Sequence, residues 1–365
     1  MIRGKYYEED ALYYSAVYGG GIYEETGEMI QNPLGGAPGE NETSPLAVNL
    51  ISGEIFFLKG ASKRNRDRYR SQILKPPRTR RILWPSDMVH LNERQREECG
   101  LLVARAYKPA PALRDDSAKT DALLFPHSEY PAMVNGQEKL ASIEAPSWKV
   151  QEVRDMAAAI AAALESLNRS GYFYTDIHLS RLYFTEQGDA YLDFSNLIFS
   201  LRDSAEEIGA VCAAESGEYP IEFADPAVVR GLIPHLDFHS QNYSLCALFF
   251  YLFLGRYPYD GRLMAGYADS TPQEHYSKFR DYHKMPVFIF DPQNTQNSLG
   301  VFWQEQQVVA LWAELPASLR ELFIRTLRQE NAERTVPVNN PTPSAWLRAF
   351  QELGWYQKEE TRTGV

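Results

Sequence analysis

"YTDIHLSRLYFTEQGDAYLDFSN", residues 174–196, sets Asp176 and Asp193 at the outer ends of two short apolar runs. "RLYFT" and "AYLDF" flank "EQGD", and a turn-forming cluster between two β-rich segments predicts a hairpin. Such a hairpin lets both carboxylates converge on one side. Taken alone, the pair reads more readily as a capping and a turn aspartate than as a charged site. The residue five places after the first aspartate is Arg181, and its presence there needs an account.

Outward from this stretch the texture is uneven. On its N-terminal side, "VQEVRDMAAAIAAALESLNRSG" repeats apolar residues at helical spacing and stops at Gly171. On its C-terminal side, helices are predicted at about 241–254, 303–313, 316–329 and 343–353, while 262–300 reads as an insertion. Residues 31–107 form short β-rich runs: "SPLAVNLISGEIFFLKG" predicts a hairpin about Ser52-Gly53, and "RRILWPSDMVHL" and "CGLLVARAY" predict two more strands. The polar "KPAPALRDDSAKTD" marks a linker. The expected organisation is therefore an N-terminal extension (1–30), a sheet lobe (31–107), a hinge or linker region (108–150), a helical lobe (151–352) and a C-terminal tail (353–365).

Composition narrows the class. The chain has 365 residues, 44% of them hydrophobic and 23% charged, which suits a globular protein with more than one core. A net charge of -11 argues against non-specific nucleic-acid binding by the surface as a whole. Cys99, Cys212 and Cys246 form no CxxC pair, which fits a reducing compartment and neither a disulfide framework nor a zinc site. The longest apolar run, "LCALFFYLFLG" at 245–255, is too short to span a bilayer, so a cytoplasmic protein is expected.

Several motifs, in order over roughly residues 31–352, resemble the protein-kinase-like superfamily. "YTDIHLSRLYF" resembles the catalytic loop, which puts Asp176 where the substrate hydroxyl proton is accepted, and "LDFSN" resembles the DFG motif, which makes Asp193 the magnesium ligand. "IFFLKG" resembles the third strand of the small lobe and places Lys59 against the α- and β-phosphates. "LGGAPGE" would supply a phosphate loop with Gly35, Gly36 and Gly39. Ala104 and Tyr107, in "GLLVARAYKP", complete the nucleotide-binding set. "QNYSLCALFFYLFLGRYPYDG" looks like the long buried helix of the large lobe, and Arg334 in "NAERT" like the arginine near the end of the fold. "ILWPSDMVHL", "GLLVARAYKP" and "VFIFDP" together resemble bacterial kinase-like proteins that accompany PP2C-type phosphatases and von Willebrand A-domain proteins.

The resemblance implies an α+β, two-lobed fold with ATP and magnesium between the lobes, and Ser/Thr-type phosphotransfer to a protein partner. Such transfer asks for charge neutralisation and alignment more than for covalent chemistry. Several departures favour the alternative of a catalytically inactive pseudokinase acting as a scaffold. Active kinases generally carry an asparagine where Arg181 stands, to hold a second magnesium. A guanidinium cannot ligate a metal, although it can bind phosphate oxygens bidentately. The catalytic-loop arginine is Thr175, the DFG glycine is Ser195, the Pro-Glu step is Pro226-Ala227, and the buried-helix aspartate is Gln241. No glutamate occurs in "SKRNRDRYRSQILK", where the lysine's partner is expected; Asp67 lies there among Arg64, Arg66, Arg68 and Arg70. A small-molecule phosphotransferase is the third alternative. The basic run from Lys63 to Arg81 is either a solvated face or a docking surface for an acidic or phosphate-rich ligand. The tyrosine-rich start reads as packing against the small lobe.

Overall fold

The computed structural model describes residues 12–15, 21–31, 43–61, 65–91, 121–126, 134–135, 150–185, 190–194, 197–214, 221–232, 236–265, 280–300, 303–328 and 340–357. The chain is mixed α+β and divides into two compact units, Met1–Asn135 and Gly136–Val365.

The first unit is built on a closed antiparallel barrel. Its strands are β1 (Leu12–Ser15), β2 (Ile22–Gln31), β3 (Thr43–Asn49), β4 (Ile55–Ala61), β5 (Asp87–Leu91) and β6 (Asp121–Pro126), in spatial order β1-β2-β3-β4-β6-β5. A two-residue strand, β7 (Val134–Asn135), ends the unit. β1 closes the ring by pairing with β2 (Tyr13↔Tyr23) and with β5 (Tyr13↔Leu91). Residues 12–31, expected as an extension, thus supply two strands, and 121–126, expected within a linker, form a strand paired with both β4 and β5. The expected β3–β4 hairpin is present: Gly53 takes a left-handed φ of 74°, and Asn49 Oδ1 accepts from Ile51 N at 2.8 Å and Ser52 N at 3.0 Å. Tyr23, Ala47, Phe56, Leu58 and Val89 form a buried cluster, with Tyr23 edge-on to Phe56 at 5.5 Å. Helix α1 (Arg66–Leu74) follows β4 and buries Tyr69, Gln72 and Ile73.

The second unit is mainly helical. Its helices are α2 (Val150–Arg169), α3 (Ala205–Ala214), α4 (Pro226–Val229), α5 (Phe238–Leu254), α6 (Arg262–Ala265), α7 (Trp303–Glu314), α8 (Ala317–Leu327) and α9 (Pro343–Glu352). α5 is its axis. An Asp237/Ser240 capping box starts it and Gly255, at φ 65°, ends it, so its termini are satisfied without neighbours. Nearly every residue between is buried, which its all-round apolar sequence requires. Phe249, Phe250 and Phe253 meet Phe323, Trp346 and Phe350 in edge-on and tilted contacts. The stretch expected as an insertion joins this core where it is described: His283, Phe288 and Asn297 are fully buried, and Phe290 stacks on Trp312 at 4.4 Å.

Four short strands complete the unit: β8 (Tyr172–Tyr174), β9 (Leu182–Phe184), β10 (Ala190–Leu192) and β11 (Ile198–Ser200). β9 and β10 form the predicted hairpin, with Phe184 opposite Ala190 and Leu182 opposite Leu192. β8 pairs with β11. α2 packs against α9, β8 and β10. Among the described residues no helix is long and apolar enough to cross a membrane.

Candidate functional site

The β9–β10 register, extended by one residue, sets Arg181 opposite Asp193 at the open end of the hairpin. The backbone confirms that pairing: Asp193 N donates to Arg181 O at 2.9 Å. Just upstream, a 3-10 turn over Leu179–Arg181 folds the chain back, and Arg181 N donates to His178 O at 3.0 Å. This turn carries Asp176 and Arg181 to the same place.

The side chains then meet around one guanidinium. Arg181 Nε donates to Asp176 Oδ2 at 2.8 Å, and Arg181 Nη1 donates to Asp193 Oδ2 at 3.0 Å. His178 Nε2 lies 3.0 Å from Asp176 Oδ1. Asp193 is fully buried, Asp176 is 4% exposed, and the Arg181 side chain keeps 30% exposure. Burial alone would lower the guanidinium pKa; the charges of Asp176 and then Asp193 reverse this, and the net direction is upward. Arg181 is therefore a fixed cation with two carboxylates wrapped on its donors, the strong geometry for arginine. Tyr174 lies alongside, fully buried, with no hydrogen-bond partner for its hydroxyl among the described residues. Burial and then Asp176 push its pKa well up, so the phenol stays neutral.

The frame behind the site is polar and satisfied. Tyr174 N donates to Gln241 Oε1 at 2.8 Å, which anchors the start of the loop to α5. Thr175, in place of the resembled arginine, is fully buried and donates through both N and Oγ1 to Leu197 O at 3.1 Å. Asp225 caps α4 by accepting from Ala227 N at 2.9 Å, where the Pro-Glu step was expected.

Of the residues singled out in the sequence, the structure brings together Asp176, Arg181 and Asp193. Lys59 lies on β4 in the other unit, half-buried, opposite Leu123 of β6. Gly35, Gly36, Gly39, Ala104, Tyr107, Ser195 and Arg334 lie outside the described residues. His178 is a direct partner of Asp176. Its two-residue offset from Asp176 was the available signal.

Magnesium takes carboxylates, phosphate oxygens and water in near-octahedral order; here Asp176 has both oxygens in contacts, while Asp193 gives Oδ2 to Arg181 and its buried Oδ1 accepts no hydrogen bond among the described residues. Among the described residues, no group of three or more His, Cys, Asp or Glu side chains could hold a metal. No protein-family model matches the chain, and no curated protein matches its sequence.

Proposed function

We propose that the protein is a divergent kinase-like module that acts by binding and regulation rather than by phosphoryl transfer. The observation that carries this reading is the Arg181 bridge between Asp176 and Asp193. A catalytic aspartate must accept a proton from the attacking hydroxyl, and a metal-binding aspartate must face the phosphates. Each carboxylate instead gives one oxygen to an internal cation, and the second oxygen of Asp176 meets His178. Supporting the kinase-like frame are Lys59 on a strand directly before a helix, the Asp176–Asp193 loop and hairpin, and the long buried α5. The partners this reading implies are proteins, with PP2C-type phosphatases and von Willebrand A-domain proteins first among them. Any nucleotide would bind without a requirement for magnesium.

The test is a phosphate-transfer assay with labelled ATP, magnesium or manganese, and a generic protein acceptor, run beside thermal melts with ATP alone and with magnesium. No incorporation, and a melting shift indifferent to magnesium, are expected. Incorporation abolished by Asp193→Asn would overturn the proposal.

A second reading, a conditional Ser/Thr protein kinase, is favoured by the retention of Asp176 on the loop and of Asp193 at the end of the hairpin register. It requires Arg181 to leave. Its signature is incorporation by Arg181→Asn in magnesium where the parent chain shows none.

A further inference from the structure

Residues 63–81 carry nine basic side chains and one acid, Asp67, a net +8 that leaves -19 on the other 346 residues of a chain at -11. Helix α1 and the loop after it give this charge a shape. Tyr69, Gln72 and Ile73 turn inward, and Trp84 Nε1 donates to Gln72 O at 3.2 Å, tying the returning chain to the helix. Arg66, Arg70 and Leu74, spaced at i, i+4 and i+8, form one outward stripe, and Leu74 is 51% exposed. Lys75, Arg78 and Arg80 continue it as exposed residues past the end of the helix.

Helix stabilisation alone does not account for this placement. Asp67 in the first turn and Lys75 at the C-cap suit the helix dipole, but like charges at i and i+4 repel, and Asn65 makes no side-chain capping bond. An apolar side chain half out in water among cations has the form of a mixed contact.

We propose that the outer face of α1 and the following loop is a docking surface for an acidic protein segment that carries an apolar residue among its acids. Arg66, Arg70, Arg78 and Arg80 would take carboxylates, and Leu74 the apolar side chain. Size selects a peptide over other polyanions. The nine residues of α1 span about 14 Å, and screening confines the field to about 8 Å at physiological salt. A duplex, with one charge per ~1.7 Å, or a flat anionic membrane reaches past the patch, so most of its charge finds no cation of this stretch. A short peptide stays within the cations. The inference does not depend on the kinase-like reading.

The experiment is fluorescence anisotropy of a labelled ten-residue peptide of glutamates with two central leucines, titrated with the full chain at 50 and 200 mM salt. A 20-base-pair duplex and phosphatidylserine vesicles serve as competitors. Saturable binding is expected, weakened at least tenfold by the Arg70→Glu, Arg78→Glu, Arg80→Glu triple variant and several-fold by Leu74→Ser. Should the charge-reversal triple fail to fold, the Arg→Gln triple at the same positions replaces it, with a threefold or greater loss expected. Absent binding, binding indifferent to both triples, or displacement of the peptide by duplex or vesicles at lower charge concentration overturns the proposal.

Discussion

Arg181 and Asp193 face each other across the mouth of the β9–β10 hairpin and are joined twice, by Asp193 N to Arg181 O at 2.9 Å and by Arg181 Nη1 to Asp193 Oδ2 at 3.0 Å. The backbone bond fixes the distance and the side-chain bond spends the carboxylate. A shorter residue at 181 would keep the first and release the second.

Arg181→Met should therefore leave the hairpin intact but strand two buried carboxylates. Breaking a buried ion pair from one side costs about 3–5 kcal/mol, and the 30% exposure of Arg181 reduces this to about 2–3 kcal/mol. Chemical denaturation of the variant checks the loss. Millimolar magnesium should recover part of it in the variant and do nothing for the parent chain. Equal response of both to magnesium would show that Arg181 is not the cation of this site.

Two groups beside α4 set opposing pH dependences. Burial raises the Asp225 carboxyl from the ordinary 3.8 to about 6, with Asp237 adding to the rise and Ala227 N opposing it. Between pH 4 and 6 the folded state holds a proton that the unfolded state has released, so stability falls as pH rises through that window. Asp225→Asn keeps an acceptor for Ala227 N and removes the penalty. It should gain about 1–2 kcal/mol at pH 7.5, discounted because Asp225 is only partly buried, and nothing at pH 4. Melting temperatures at the two pH values decide it.

His283 works in the other direction. Burial lowers its pKa from 6.5 to about 4, against its contact with Ala224 O at 2.9 Å. The unfolded chain takes up a proton below pH 6.5 that the folded chain refuses, so stability is lost as pH falls from 6.5 to 4. His283→Gln should flatten this acid limb in a pH series of urea midpoints. Because Asp225 and His283 act oppositely over the same window, the parent chain should vary less with pH than either single variant.

Asn297 knits the stretch after α6 into the core. Its Nδ2 donates to Tyr259 O at 3.0 Å and Val287 O at 2.8 Å, and its Oδ1 accepts from Leu263 N at 2.8 Å, all out of water. Asn297→Ala leaves these backbone groups unmet and should cost about 2–4 kcal/mol. Gly261→Ala should be comparably harmful for a steric reason, since a Cβ there would lie 2.1 Å from Asn297 O. Denaturation midpoints of both variants test this; a midpoint within 0.3 M urea of the parent would refute the assignment.

Removal of β1 tests the barrel. A chain beginning at residue 16 exposes the β2 and β5 edges that Leu12–Ser15 covers. Open edges template further strands, so the shortened chain should melt earlier and form concentration-dependent oligomers in size-exclusion chromatography with light scattering. A monomer with unchanged melting temperature would show the closure to be dispensable.

The sequence was most legible where one local rule acted alone. The α2 repeat with its Gly171 stop, α5 with its apolar run from Leu245, and the hairpin between Phe184 and Ala190 each lie within a residue or a few of expectation. It was least legible where partners are distant. β1 has four residues, too few to show alternation, and is a strand only because β2 and β5 flank it. Residues 121–126 read as linker beside their polar neighbours, yet pairing with β4 and β5 decides their state. In the site, the positions of Asp176, Arg181 and Asp193 were legible, whereas the direction of the guanidinium was not. Spacing says which residues come near, but the 3-10 turn at Leu179–Arg181 determines that the cation turns inward onto both carboxylates.

The closing of the barrel also has a schedule. β1 emerges from the ribosome before the neighbour that completes its pairing, and the ring cannot shut until Asp121–Pro126 has followed Asp87–Leu91. At about 5–20 residues per second, the interval between residues 15 and 126 lasts roughly 6–22 s. Until Asp87–Leu91 has been made, β1 has β2 as a partner and nothing on its other side, and until Asp121–Pro126 follows, β4 and β5 lack the strand that joins them, so nascent chains bear an open ribbon long before they bear a barrel. Synthesis speed between those two points is thus a variable of this protein's yield, separate from the stability of the finished fold.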